Sequence, residues 1–350
     1  MTALADLLTA RITATGPITL ADYMAECLLH PVYGYYTTRD PLGVAGDFTT
    51  APEISQMFGE LIGLSLAQSW LDQGAPTAFT LAELGPGRGT LMSDVMRATR
   101  AVPGFHDAAT LHFIEASPSL RAKQAALVPD AVWHDDVGSL PDAPLFLIAN
   151  EFFDALPIRQ FTRDADGWRE HMVGLTDGAL ALGLSQPAPI EALEHRLDDT
   201  PIGAVVEICP ALPAITGVIA DVIECHGGGA LIIDYGDWQS KGDTFQALAN
   251  HKMVDPFTAP GQADLTAHVD FAAIAKAAKT HSAMTPQGVF LERLGITARA
   301  QRLAQTLTGD ALTSHIAAHR RLTHPDEMGA LFKVIGLYPS TQNPPAGLEP

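Results

Sequence analysis

Apolar residues in this chain cluster into short continuous runs bounded by polar or glycine-rich turns, the pattern of strands buried on both faces. Phe79–Leu84, Leu111–Ile114, Ala131–His134 and Leu145–Ala149 all read this way, and each leads into polar residues at its carboxyl end. Those ends carry Glu83 with a glycine turn, Glu115-Ala116-Ser117, Asp135-Asp136 and Asn150-Glu151. Gly229–Gly236 reads as a fifth core strand with Asp234 and Tyr235 on its rim, and Phe332–Leu337 as the strand that closes the sheet. Between them, helical spacing predicts helices over Leu91–Thr99, Asp270–Thr280 and Ile296–Ala304. The alternation predicts an α/β fold with a doubly wound, Rossmann-like sheet and helices on both faces, whose ligands sit at the carboxyl ends of the strands.

Around that core the pattern changes. Residues 1–75 read as an amino-terminal helical segment: Leu4, Leu7, Leu8 and Ile12 recur at helical spacing, and a second helix runs from Glu53 to Trp70, capped near Thr50. The intervening loop, His30 to Pro52, is rich in glycine, proline, tyrosine and threonine, the composition of a lid or of a long packed surface loop. The core domain spans 76–339, with insertions at 158–203 and 237–268 that form a smaller subdomain. In the first insertion, Arg159–Phe161 and Trp168–Leu175 flank the turn Asp164-Ala165-Asp166-Gly167 as a hairpin, and Thr176–Thr200 reads as irregular. Ala204–Pro210 returns as a strand beside the fourth core strand, which would bring Glu207 to the same rim. Residues 340–350 read as a flexible tail.

The chain has 350 residues, 47% of them hydrophobic, enough for a large core. Its 21 basic side chains against 40 acidic ones give a formal charge of −19, which disfavours a nucleic-acid partner and either favours a basic or arginine-bearing one or serves only solubility. Cys27, Cys209 and Cys225 show no C-x-x-C spacing, and the 13 histidines form no H-E-x-x-H pair, so no metal site is expected. No apolar run reaches the ~18 residues of a membrane span. The first helix resembles neither a signal nor a transit peptide, so the expected location is cytoplasmic.

The glycine turn carries the chemistry. In Glu83-Leu84-Gly85-Pro86-Gly87-Arg88-Gly89-Thr90 the third glycine comes one residue earlier than a dinucleotide fingerprint requires, and Thr90 takes its place. A carboxylate two residues before the first glycine would repel a pyrophosphate but suits a ligand with an ammonium or sulfonium, the pattern for S-adenosyl-L-methionine. Glu83, Gly85, Pro86, Gly87, Gly89 and Thr90 are thus candidate cofactor residues. Glu115, about 30 residues on, stands where a ribose-binding acid is expected. Asp135 or Asp136 would accept from an adenine amino group, or form a solvated turn. Asn150 lies on the same rim. Glu151 and Asp154, and Glu207 on the neighbouring strand, are candidate carboxylates for gripping a planar guanidinium and favouring the positive charge that grows on an attacking nitrogen. Glu151 could instead bond the cofactor or cap a helix, and Tyr235 and His268 are candidate pocket-lining residues.

With these residues in view, the chain resembles the MidA-like family of methyltransferases. The resemblance runs through Gly46–Glu60, Glu83–Met92, Asn150–Pro157, Ile233–Gly236 and Asp264–Phe271, and covers most of the chain. It implies a class I methyltransferase fold using S-adenosyl-L-methionine. From the family's mitochondrial member it also implies symmetric dimethylation of an arginine on a respiratory complex I subunit, and hence a protein partner with an accessible arginine. Three other readings stand beside it: a methyltransferase for a small molecule or another protein residue, a cofactor-binding assembly factor for a respiratory complex, and a nicotinamide-dependent oxidoreductase. The last is disfavoured by Glu83 and Thr90.

Overall fold

The computed structural model describes residues 2–38 and 49–350, and its chain divides into two compact units. The larger holds residues 49–153, 213–238 and 271–350. Its sheet runs in the order Thr285–Pro286, Phe332–Leu337, Gly228–Asp237, Leu145–Asn150, Phe79–Leu84, Ala109–Ile114, Val132–His134. The last five are mutually parallel, and Phe332–Leu337 pairs antiparallel with Gly228–Asp237. The sheet is therefore mixed, with a short edge strand at Thr285–Pro286 that the sequence pattern did not reveal. Strand order reverses between Phe79–Leu84 and Leu145–Asn150, which are neighbours, so the crevice beyond their carboxyl ends is the switch point where such sheets bind ligands.

Both central strands are buried at every position, which is why they read as unbroken apolar runs. Phe79, Phe105, Phe146 and Trp70 pack together in the core with the helix Gln56–Asp72. That helix starts later than its apolar pattern suggested. Ser55 is extended, with φ −159°, and its hydroxyl accepts from the Met57 N–H, while Ala51–Ile54 forms a separate short helix. Glu60, 4% exposed, accepts hydrogen bonds from Arg97 at 2.6 Å and Arg299 at 2.7 Å, joining Gln56–Asp72 to the helices Thr90–Thr99 and Ile296–Ala304. The carboxyl-terminal segment is packed, against the expectation of a loose tail. Leu348 joins the core, the Ser65 hydroxyl donates to the Ala346 carbonyl at 2.7 Å, and Ser340 donates to Glu224.

The smaller unit comprises the described residues of 1–48 with 154–212 and 239–270. The amino-terminal helix Ala3–Thr15 buries Leu4, Leu8 and Ile12, whereas Leu7 is exposed. The expected hairpin is present as Arg159–Asp164 paired with Gly167–Thr176. The stretch read as irregular instead contributes the strand Ala179–Leu184, paired with Gly167–Thr176. Val205–Ile208 pairs antiparallel with Arg159–Asp164 and not with a core strand. This corrects the placement of Glu207 on the core rim. Glu207 is buried in the smaller unit, where it accepts from Gln160, the Thr244 N–H and the Phe245 N–H, and burial pushes its carboxyl up. Its strand's apolar composition fits any sheet, and the partner is set by tertiary pairing.

Of the expected lid, residues 39–48 lie outside the described residues. Tyr35 and Tyr36 form part of the short helix Tyr35–Thr38; Tyr35 is fully buried, and the Tyr36 hydroxyl donates to Asp264 at 2.7 Å.

Candidate functional site

At the end of the Phe79–Leu84 strand, Glu83 retains 3% exposure. Burial pushes its carboxyl up to about 8; a hydrogen bond from the Met92 backbone opposes the rise, and the Glu115 charge adds to it. Glu83 Oε2 has no hydrogen-bond partner among the described residues. A buried carboxylate oxygen in that state is costly until a ligand completes it. The turn that follows needs its glycines, since Gly85, Gly87 and Gly89 have φ of 58°, 54° and 86°. A Cβ on Gly85 would also stand 3.0 Å from the Phe152 ring. The Pro86 carbonyl closes the turn by accepting from the Gly89 N–H at 2.7 Å, and Gly89 caps the helix Thr90–Thr99. The Thr90 hydroxyl donates to Glu53 Oε1 at 2.7 Å, and the Arg88 guanidinium lies 3.9 Å from Glu53 Oε2.

Glu115, at the end of the next strand, is 8% exposed, and burial pushes its carboxyl up. Its Oε1 accepts from the Ser117 N–H at 2.7 Å, and its Oε2 from Gln124 Nε2 at 2.9 Å. The same Nε2 donates to the Gly87 carbonyl at 2.7 Å, and Gln124 Oε1 accepts from the Trp133 indole at 2.8 Å. Gln124 thus ties the glycine turn to the second and third strands. Sequence reading missed it, although it sits four residues after buried Leu120 in the helix Pro118–Leu127. A glutamine on a helix's buried face is the available signal. Asp135 is mostly exposed and pairs with Arg121 at 2.5 Å. Exposed Asp136 precedes the single turn Val137–Ser139 and takes the Ser139 hydroxyl on its carbonyl.

Asn150 and Glu151 end the Leu145–Asn150 strand. Asn150 is 8% exposed, and its Oδ1 has no partner among the described residues. Its Nδ2 donates to Glu151 Oε1 at 3.1 Å, and the Ala51 N–H donates to the same oxygen at 3.1 Å. Glu151 has φ 52°, a left-handed conformation that costs a non-glycine residue and marks a position constrained by its surroundings. Fully buried Asp234 braces the next turn, taking the Phe153 N–H on Oδ2 at 3.0 Å and the Tyr235 N–H on Oδ1 at 2.9 Å. The Tyr235 ring packs edge-on against Phe332.

Glu151 and Asp154 fall into different units. In the smaller one, Asp154 is 6% exposed and its carbonyl accepts from the Ala267 N–H at 3.0 Å. Burial, then the charges of Asp264 and Asp154, push the Tyr36 phenol well up. His268 donates its N–H to the Thr244 hydroxyl at 2.8 Å.

In the larger unit the residues suit a ligand that carries a cation, for the open Glu83 oxygen, and hydrogen-bond donors, for Asn150 Oδ1. The reversed strand order, the glycine turn after one central strand and the acid ending its neighbour define a class I S-adenosylmethionine-dependent methyltransferase. The family model described as "Putative S-adenosyl-L-methionine-dependent methyltransferase" matches residues 61–290, and the chain belongs to that family. It is 36% identical to protein arginine methyltransferase NDUFAF7, mitochondrial, of Xenopus laevis, over 97% of this chain and 85% of that protein. The human protein of the same name is also 36% identical, over 94% of this chain and 82% of its own. A COG1565 superfamily member from Burkholderia thailandensis, crystallised bound to S-adenosyl-homocysteine, superposes with a TM-score of 0.84 at 29% identity, covering 99% of this chain and 94% of that one. The relatives, named as mitochondrial proteins, overturn the cytoplasmic location expected from the sequence. Among the described residues no helix is long and apolar enough to cross a membrane.

Proposed function

We propose that this methyltransferase acts on an arginine guanidinium of a protein, and that a respiratory complex I subunit is the class of target. Support comes from the names of the relatives, which match nearly the whole chain. The structural observation that carries the reading is Glu151, a left-handed residue at the switch point whose carboxylate takes two N–H donors on one oxygen. That arrangement orients the carboxylate before any acceptor arrives, and oriented charge is what a positioning catalyst requires.

S-adenosylmethionine, when bound, supplies a methyl group on a sulfonium that is transferred in line to a nucleophilic nitrogen. In this reading Glu83 holds the ammonium of that cofactor and Glu115 its ribose hydroxyls. Gly85, Pro86, Gly87, Gly89 and Thr90 would shape the turn that receives it, and Asn150 Oδ1 would accept a further donor. Asp135 or Asp136 would accept from the adenine amino group. Glu151 grips the guanidinium and offsets the positive charge that develops on its attacking nitrogen.

Labelled cofactor incubated with the purified chain in a lysate, followed by identification of the labelled residue, tests the proposal. Methylated arginine on a protein is expected. Label on a small molecule or on another side chain overturns the arginine reading, and cofactor binding with no transfer favours an assembly factor.

A further inference from the structure

We propose that Glu53 is a positioning residue for the cofactor turn, and that the short helix bearing it sets both halves of the reaction centre in the larger unit. The inference rests on the proposed roles of the glycine turn and Glu151. Glu53 contacts both flanks of Gly89: it accepts the Thr90 hydroxyl at 2.7 Å and faces the Arg88 guanidinium at 3.9 Å. Gly89 is the residue whose φ of 86° turns the chain into the helix Thr90–Thr99. A carboxylate pinning the residues before and after such a turn restricts the freedom that glycine otherwise gives it. The negative charge also lies at the start of a ten-residue helix, where the macrodipole favours it.

Two residues earlier on the same short helix, the Ala51 N–H donates to Glu151 Oε1 at 3.1 Å. One four-residue segment, Ala51–Ile54, therefore holds the cofactor turn through a side chain and the acceptor carboxylate through its backbone. Pro52 stiffens it between those two contacts. Glu53 itself touches neither cofactor nor acceptor in this scheme; it acts through Thr90 and Arg88.

The experiment measures S-adenosyl-homocysteine affinity by calorimetry, together with melting temperature, for the wild type, Glu53→Ala, Glu53→Gln, Thr90→Val and the double variant Glu53→Ala/Thr90→Val. Glu53→Ala should weaken binding roughly tenfold or more, the scale of losing a hydrogen bond to a charged group. Glu53→Gln should recover part of that loss, because its amide oxygen still accepts the Thr90 hydroxyl. The double variant should bind about as well as the weaker single variant, since the two partners of one contact are not additive. Affinity of Glu53→Ala within about twofold of wild type, or a double variant whose loss is the product of the singles, overturns the proposal. If Glu53→Ala does not fold, Thr90→Val decides: undiminished affinity there also overturns it. Binding needs no acceptor, so failure of the arginine reading leaves this test intact. Wild-type protein that does not bind S-adenosyl-homocysteine would count against the cofactor-site assignment itself.

Discussion

Gln124 Nε2 lies 2.9 Å from Glu115 Oε2, and the same nitrogen lies 2.7 Å from the Gly87 carbonyl. One buried amide therefore sets the distance between the glycine turn and the acid that ends the neighbouring strand. Gln124→Leu keeps the volume but removes three hydrogen bonds and leaves Glu115 short of a partner. We expect S-adenosyl-homocysteine affinity to fall roughly tenfold and the fold to lose ~2 kcal/mol, as read by calorimetry and urea unfolding. Unchanged affinity would show that the turn is held without it.

Glu151→Gln separates cofactor binding from transfer. The amide keeps the shape of the side chain but loses the charge that favours a cationic nitrogen. Single-turnover transfer is expected to slow about a hundredfold, with S-adenosyl-homocysteine affinity held within about threefold of wild type. A rate near wild type would remove Glu151 from the chemistry.

Glu83 makes stability depend on pH in a definite direction. Its carboxyl rises from an ordinary 4.5 to about 8 on folding, because burial penalises the charged form. Between those values the folded chain keeps a proton that the unfolded chain has released, so stability falls as pH rises across that window and the loss is complete above about 8. Glu83→Gln abolishes this term. Thermal unfolding of the ligand-free variant should match wild type near pH 4.5 and exceed it increasingly toward pH 8. Binding of a cationic ligand beside Glu83 should also release a proton near pH 7, measurable by calorimetry in buffers of different ionisation enthalpy. Parallel melting curves for the two proteins at every pH would contradict the buried, proton-bearing carboxyl.

Glu60 is a stability residue. It is 4% exposed and takes Arg97 and Arg299 from two other helices, so Glu60→Ala leaves Arg299 without its carboxylate and Arg97 with Asp94 alone. Both arginines are about a third or more exposed and Arg97 keeps Asp94, so solvent screening keeps the expected loss to ~1–2 kcal/mol in chemical denaturation. A loss below about 0.5 kcal/mol would mean that the helices pack without the bridge.

Much of the larger unit was legible because strands buried on both faces leave an unmistakable apolar run, as in Phe79–Leu84 and Leu145–Asn150. The glycine turn was legible for a different reason: three left-handed positions demand glycine, and the demand is written in the residues themselves. Val205–Ile208 was legible as a strand but not as a partner of Arg159–Asp164, because apolar composition says that a strand will pair and not with which neighbour. The carboxyl-terminal segment looked loose since proline and small polar residues carry no period, yet Leu348 finds the core.

By itself, the sequence determined the buried strands, the acids at their ends and the turn that leaves room for a ligand, since each depends on residues close together in the chain. Tertiary structure alone decided that Gln124 meets Glu115 and Gly87, that Thr90 reaches Glu53, and that the Ala51 N–H meets Glu151. Those contacts join residues 9 to 100 positions apart. Local propensity has no term for such distances; they are set only when the sheet and its helices pack.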